Sequence, residues 1–183
     1  MTDFPKRHSS NRLKHWDYSS NSMYYLTLNV QNRKCIFGKI KKEEMILNEW
    51  GFIAETEWIK SFNIRKGWEM DEFIIMPNHL HGIVIVNGNI DSDNLISNHG
   101  CASRFRRSIS SFIAGYKSSV TSRVNDWIDH HFDCALDTTR SFTKYNRHHR
   151  LWQRNFHDHI VRNEKDYIRI KNYIRNNPSR WAR

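Results

Sequence analysis

Phe73-Ile74-Ile75-Met76-Pro77-Asn78-His79-Leu80-His81-Gly82-Ile83-Val84-Ile85-Val86 is the stretch on which the reading of this chain turns. Two apolar runs flank a Pro-Asn turn, the pattern of paired strands over about 69–76 and 80–86. Side chains alternate faces along a strand, so His79 and His81 share one face and Leu80 packs into the other. Two imidazoles on one sheet face make half of a metal site. Two ordinary surface histidines beside a turn would have the same spacing, and the chain has 11 His.

Working outward, Tyr24-Tyr25-Leu26-Thr27-Leu28-Asn29-Val30 is rich in aromatic and branched residues and reads as a strand. Apolar positions from Lys42 to Phe62 recur near the helical period and predict a helix that stops before Lys66-Gly67. Residues 87–100 read as a loop. A second helix is expected over 107–127, with Ile109, Phe112, Ile113, Tyr116, Val120 and Val124 on its core side. Residues 130–147 have no clean period and read as a flexible insertion, and 152–161 as a short strand or extended segment. A last helix starts at Asn163, with Glu164 and Asp166 suited to its N-terminus, and ends at Asn177-Pro178. The predicted fold class is α+β, an antiparallel sheet with helices on one face, in an order compatible with a ferredoxin-like plan. Residues 1–20 are expected to form a loose arm, and 21–183 a single domain.

The 183 residues carry a formal charge of +10, which favours a polyanionic partner. With 7 Trp, 7 Tyr and 10 Phe interleaved, single-stranded nucleic acid suits the balance, since bases stack on rings while phosphates meet cations. Arg104, Arg106, Arg107, Lys117, Arg147, Arg150 and Arg154 are the candidate phosphate contacts, and Trp152 and Phe156 the candidate stacking rings. Three widely spaced cysteines without a Cys-x-x-Cys pair point to a reduced, cytoplasmic compartment. No apolar run is long enough to span a membrane, which excludes a membrane partner from the reading.

A two-histidine site needs a further ligand. Tyr173 and Asn177 lie four apart on the last helix and so share a face. An amide oxygen can complete a cation's coordination, and a phenol beside it can act as a nucleophile. The plain alternative makes Tyr173 the edge of a Tyr167/Ile170/Ile174 stripe and Asn177 a helix terminator before Pro178. Tyr116, on the apolar side of its helix, reads as core.

Met76-Pro77-Asn78-His79-Leu80-His81, followed far downstream by Tyr173-Ile174-Arg175-Asn176-Asn177-Pro178, resembles the single-tyrosine HUH transposases of insertion sequences. The run from Leu151 to Glu164 and the segment Gly115-Tyr116-Lys117-Ser118 are similar to the REP-associated branch in particular. The resemblance covers about residues 20–181 and implies a ferredoxin-like core with the histidines on a central strand. It implies a divalent cation, Mg²⁺ or Mn²⁺, held by His79, His81 and Asn177, with Tyr173 as the nucleophile. Asn177 departs from the mobile insertion-sequence enzymes, which carry Gln there. The implied activity is a metal-dependent endonuclease and strand transferase acting on single-stranded or hairpin DNA through a 5′-phosphotyrosine, as monomer or homodimer. A phenol has a pKa near 10, so phenolate needs positive charge nearby; the cation and Lys117 are the candidates. Relaxases place the tyrosine before the histidines, the reverse of the order here. From another class, a catalytically silent single-stranded DNA- or RNA-binding protein would keep the basic face and lose the chemistry.

Overall fold

A computed structural model describes residues 22–87, 108–132 and 143–181. The expected N-terminal arm, Arg104, Arg106, Arg107 and most of the expected 87–100 loop and 130–147 insertion lie outside the described residues. In chain order the elements are β1 (Ser22–Asn29), β2 (Gly38–Lys41), β3 (Glu44–Leu47), α1 (Glu49–Asn63), β4 (Trp68–Met76), β5 (His79–Val86), α2 (Ile109–Phe132), β6 (His157–Val161), α3 (Glu164–Arg175) and α4 (Asn177–Arg180). Among the described residues four strands form one antiparallel sheet in the order β4-β5-β1-β6. With α1 and α2 as the two crossovers this is the ferredoxin-like arrangement. No helix among the described residues is long and apolar enough to cross a membrane.

The sheet's two faces divide the molecule. Tyr24, Leu26 and Leu28 of β1 join Leu80 and Val84 of β5 on one face. Against them pack Trp58 of α1 and Phe112, Tyr116, Val120 and Val124 of α2, all but fully buried. Tyr116 belongs to this core, its hydroxyl donating to the Ala54 carbonyl at 3.1 Å. α1 and α2 thus occupy one face, as the pattern predicts. α3 lies across the other, where Ile170 and Ile174 pack on Ile83 beside Met23, Tyr25, Ile74, Val161 and Tyr167. The stripe foreseen for the last helix is therefore its seat on the histidine face. Gly82 faces the larger core, paired with Leu26 and Phe73. A Cβ there would stand 2.7 Å from Cζ2 of Trp58, so the indole occupies the space a side chain would need.

The helix expected from Lys42 begins instead at Glu49. Residues 38–47 form a hairpin, turned through Lys42 and Glu43 at φ 50° and 63°. A two-residue turn with both φ positive usually announces itself as Asn-Gly or Asp-Gly; Lys-Glu does not. Asn48 then caps α1, its side chain accepting the Gly51 backbone N–H at 2.9 Å. α2 runs on to Phe132, past the expected 127. Within the expected 152–161 segment only His157–Val161 is a strand, while Trp152 forms an isolated bridge with Val30.

Candidate active site

The Pro77-Asn78 turn delivers β5 into the centre of the sheet. The Pro77 carbonyl accepts from Ile36 N (2.9 Å) and Phe37 N (3.1 Å), and the Asn78 carbonyl from Val30 N (2.9 Å). The chain after β1 therefore wraps the turn and brings Arg33 beside it. Nδ2 of Asn78 donates to the Arg33 carbonyl at 3.1 Å, and Oδ1 of Asn78 accepts from Nδ1 of His79 at 2.7 Å. A neutral His79 with its proton on Nδ1 presents the Nε2 lone pair outward. Burial, then the charge of Arg33, lowers its pKa to about 4. His81 is lowered to about 3, by burial first and then by His79 and Arg33.

The pairing Thr27↔His81 places Thr27 across from the second histidine, with Tyr25 on the same face one pleat along. The Tyr25 hydroxyl lies 2.8 Å, and the Thr27 hydroxyl 2.9 Å, from Nδ1 of His81. Burial pushes Tyr25 up to about 12, so its phenol stays protonated at neutral pH. Tyr173 is 38 % exposed. Its ring centroid lies 5.3 Å from that of His81 and 6.4 Å from that of Tyr25. The two histidine rings are 4.5 Å apart, and Trp181 stacks on His79 at 5.8 Å. One cavity of about 310 Å³ is lined by Thr27, Arg33, His79, His81, Tyr173, Asn177, Arg180 and Trp181. His79, His81, Tyr173 and Asn177, distant in sequence, thus meet within a single chain. Arg180 sits over the Tyr173 ring at 6.0 Å.

The donor set suits a divalent cation in its chemistry: two imidazoles held neutral, and an amide at Asn177 that is 7 % exposed. Among the described residues no group of three His, Cys, Asp or Glu could hold a metal, so the amide oxygen is the third ligand on offer.

Other candidates fall elsewhere. Lys117 is on α2, behind the sheet from Tyr173, and cannot lend it charge. Its ammonium donates to the Gln153 (2.8 Å) and Asn155 (3.0 Å) carbonyls, and burial lowers its pKa to about 8. Trp152 is 5 % exposed, packed on Phe37 at 5.4 Å and Tyr116 at 5.7 Å, and so is core rather than a stacking platform. Phe156 is half-buried against the same core. Arg150 and Arg154 line a groove of about 540 Å³ together with Lys117, Ser118, Thr121 and the edge of Trp152, while Arg147 is exposed beside it. His157 and His159 pair with Thr27 and Tyr25 and so share the site's face. His159 is engaged by Asp166 at 2.7 Å, at the start of α3.

Tyr25, Thr27, Arg33, Arg180 and Trp181 are site residues the motifs do not reveal. For Tyr25 and Thr27 a signal exists, since they alternate with Tyr24, Leu26 and Leu28 and must face away from the core.

No protein-family model matches the chain. An uncharacterized protein of Haemophilus influenzae is 34 % identical over 177 residues, which cover 93 % of this chain and 87 % of that one. Among solved structures, a REP-associated tyrosine transposase bound to a REP hairpin is similar in fold, with a TM-score of 0.55 at 17 % identity. That match covers 92 % of this chain and 74 % of the other.

Proposed function

Since the chain belongs to one family with the Haemophilus influenzae protein and has the fold of a REP-associated tyrosine transposase, we propose that it cleaves and rejoins single-stranded DNA flanking a hairpin, with Tyr173 as nucleophile. The observation that carries this reading is the single cavity gathering Tyr173, His79, His81 and Asn177. Tyr173 attacks phosphorus through its phenolic oxygen. The bond from phosphorus to the 3′ oxygen breaks, that oxygen leaves as a 3′-OH after taking a proton, and the phenolic proton passes to solvent. The 5′ phosphate remains esterified to Tyr173. Attack by a 3′-OH on that ester reverses the step, restores the phenol and conserves the bond, so no external energy source is needed.

The chain's own residues prepare this step. Arg33 and Arg180 line the cavity, which Lys117 does not, and they oppose the phosphate's charge and favour phenolate at Tyr173. Asn78 fixes the ring of His79, and the Tyr25 and Thr27 hydroxyls fix that of His81. Trp181 walls the cavity beside His79. Mg²⁺ or Mn²⁺ bound by His79, His81 and Asn177 would supply Lewis-acid stabilisation of the phosphate's developing charge. The groove at Arg150 and Arg154 has serine, threonine and asparagine donors and no carboxylate, which suits a phosphate backbone.

The test is Tyr173→Phe, which keeps the packing ring and removes the attacking oxygen. On hairpin DNA with a single-stranded flank and Mn²⁺, the natural chain should give a covalent adduct at the 5′ phosphate. Tyr173→Phe should give none while binding equally well, and Tyr116→Phe should still form it. An adduct that survives Tyr173→Phe refutes the assignment. Binding without any adduct in the natural chain would favour a silent binding protein.

A further inference from the structure

The edge strand β4 carries an irregularity that the mechanism leaves unused. Met70 pairs with Val84 and Phe73 with Gly82, so Asp71 and Glu72 together stand opposite Ile83 alone. This is a β-bulge, with one extra residue in β4. In a regular strand two consecutive side chains point to opposite faces, and one of these acids would enter the core between α1 and the sheet. The bulge re-aims them, and both reach α3. Asp71 Oδ1 accepts from Nζ of Lys171 at 2.8 Å, and Glu72 Oε2 from Nε of Arg175 at 2.7 Å. Lys171 and Arg175 stand two residues either side of Tyr173. Lys171 is further steadied by the Tyr167 hydroxyl at 2.8 Å.

The apolar seat of α3 is small: its fully buried side chains are Ile170 and Ile174. Such a seat resists lifting but resists rotation and sliding less, because apolar contact is non-directional. Two directed, charge-assisted bonds fixed at different turns of the helix supply what the seat lacks. The Asp71–Lys171 pair is also sheltered, with the two side chains 19 % and 23 % exposed. It is therefore screened by water less than an ordinary surface pair.

We infer that Asp71 and Glu72, displayed together by the β4 bulge, are positioning residues that set the rotation and height of α3 and so aim Tyr173 into the histidine cavity. The consequence for activity rests on the function proposed above; the clamp itself does not. A positioning role affects the chemical step and leaves DNA affinity alone, whereas a merely structural role would lower both along with the melting temperature.

The experiment uses the full chain and compares Asp71→Asn/Glu72→Gln with the natural protein by amide hydrogen exchange, DNA affinity and single-turnover adduct formation. Exchange should rise about tenfold or more across α3 and stay level in α1 and α2, since local opening is governed by local contacts. Adduct formation should slow by about tenfold with the affinity for hairpin DNA within about twofold of natural. The charge-swapped pair Glu72→Arg with Arg175→Glu should recover most of the rate that either single change loses. Unaltered α3 exchange, or loss of rate in step with affinity and melting temperature, overturns the inference. Failure of the swap to restore the rate over its single changes also overturns it. If the natural chain forms no adduct, the proposed function fails, and the exchange measurement still decides the clamp.

Discussion

Gly82→Ala probes the link between the aromatic core and the histidine strand. The new methyl would lie 2.7 Å from Cζ2 and 3.4 Å from Cε2 of Trp58. Ordinary carbon contacts lie near 3.5–4.0 Å, so the nearer approach is short by about 1 Å. The indole cannot retreat freely. It is fully buried, with ring centroids of Tyr116 at 5.2 Å, Phe62 and Phe112 at 5.4 Å and Phe73 at 6.2 Å. Overpacking of this kind costs about 1–3 kcal/mol. At about 2–4 °C per kcal/mol for a domain of this size, the melting temperature should fall by roughly 2–12 °C. Part of the displacement will fall on β5, because Gly82 is flanked by His81 and Ile83, so adduct formation should slow as well. Trp58→Phe shortens the ring and opens the space, at its own cost in lost packing. Combined with Gly82→Ala it should be less destabilising than the sum of the two singles, by roughly 0.5–3 kcal/mol, the range for directly touching residues. Calorimetric melting of the four proteins gives the cycle. A Gly82→Ala protein melting within about 1 °C of natural, or strictly additive singles, would refute the argument.

Asn78→Ala removes the acceptor that holds Nδ1 of His79; Mn²⁺ affinity measured by titration calorimetry should drop about 10–100-fold, and unchanged affinity would detach Asn78 from the site. Arg150→Gln with Arg154→Gln should reduce the slope of log affinity against log salt by roughly 0.7–0.9 per lost phosphate contact, and an unaltered slope would place DNA elsewhere. For Asp71, burial alone would raise the carboxyl pKa, but the hydrogen bonds and charge of Lys171 prevail and hold it below the usual 3.8. A depressed carboxylate stabilises the fold above its unfolded pKa and loses that contribution as pH falls through the folded one. The melting-temperature gap between the natural chain and Asp71→Asn should therefore be level near neutrality and close progressively below the usual 3.8, whereas a gap that widens with acid would contradict the sign.

Local pattern sufficed for what depends on local pattern. The apolar runs around the Pro77-Asn78 turn placed β4 and β5 to within a residue or two, and strand alternation put His79 and His81 on one face, away from Leu80. Asn163 caps α3 as expected, and the helix's Tyr167/Ile170/Ile174 stripe is the seat on Ile83. But α3 stops at Arg175, and Asn177-Pro178 open the short α4. Asn177 therefore reaches the cavity from the turn after the helix that carries Tyr173, and not from a shared helix face. The reading of Trp152 fails for a physical reason: its ring is judged by what it can do in solvent, and burial decides otherwise. A tryptophan between arginines looks like a stacking ring until Phe37 and Tyr116 enclose it. Lys117 gives two of its three N–H donors to the Gln153 and Asn155 carbonyls and still lines the groove of Arg150 and Arg154. The hairpin at 38–47 was hidden because its turn lacks the usual residues.

The remaining site residues were illegible for a different reason. Arg33, Tyr25 and Thr27 belong to the first strand and the loop after it, Arg180 and Trp181 to the chain's last turn, and nothing in either segment refers to the other. What joins them to the histidines is the β1–β5 register, which pairs Thr27 with His81, and the carbonyls of Pro77 and Asn78, which draw the 30–37 loop over the turn. Register is a long-range property: slipping β1 by one residue would exchange Thr27 for a core leucine beside His81. It is fixed by burying Tyr24, Leu26 and Leu28 against α1 and α2. The hydroxyls at His81 are therefore positioned by the hydrophobic pattern on the opposite face of their own strand. A polar substitution at Leu26 should disturb His81 although the two side chains lie on opposite sides of the sheet.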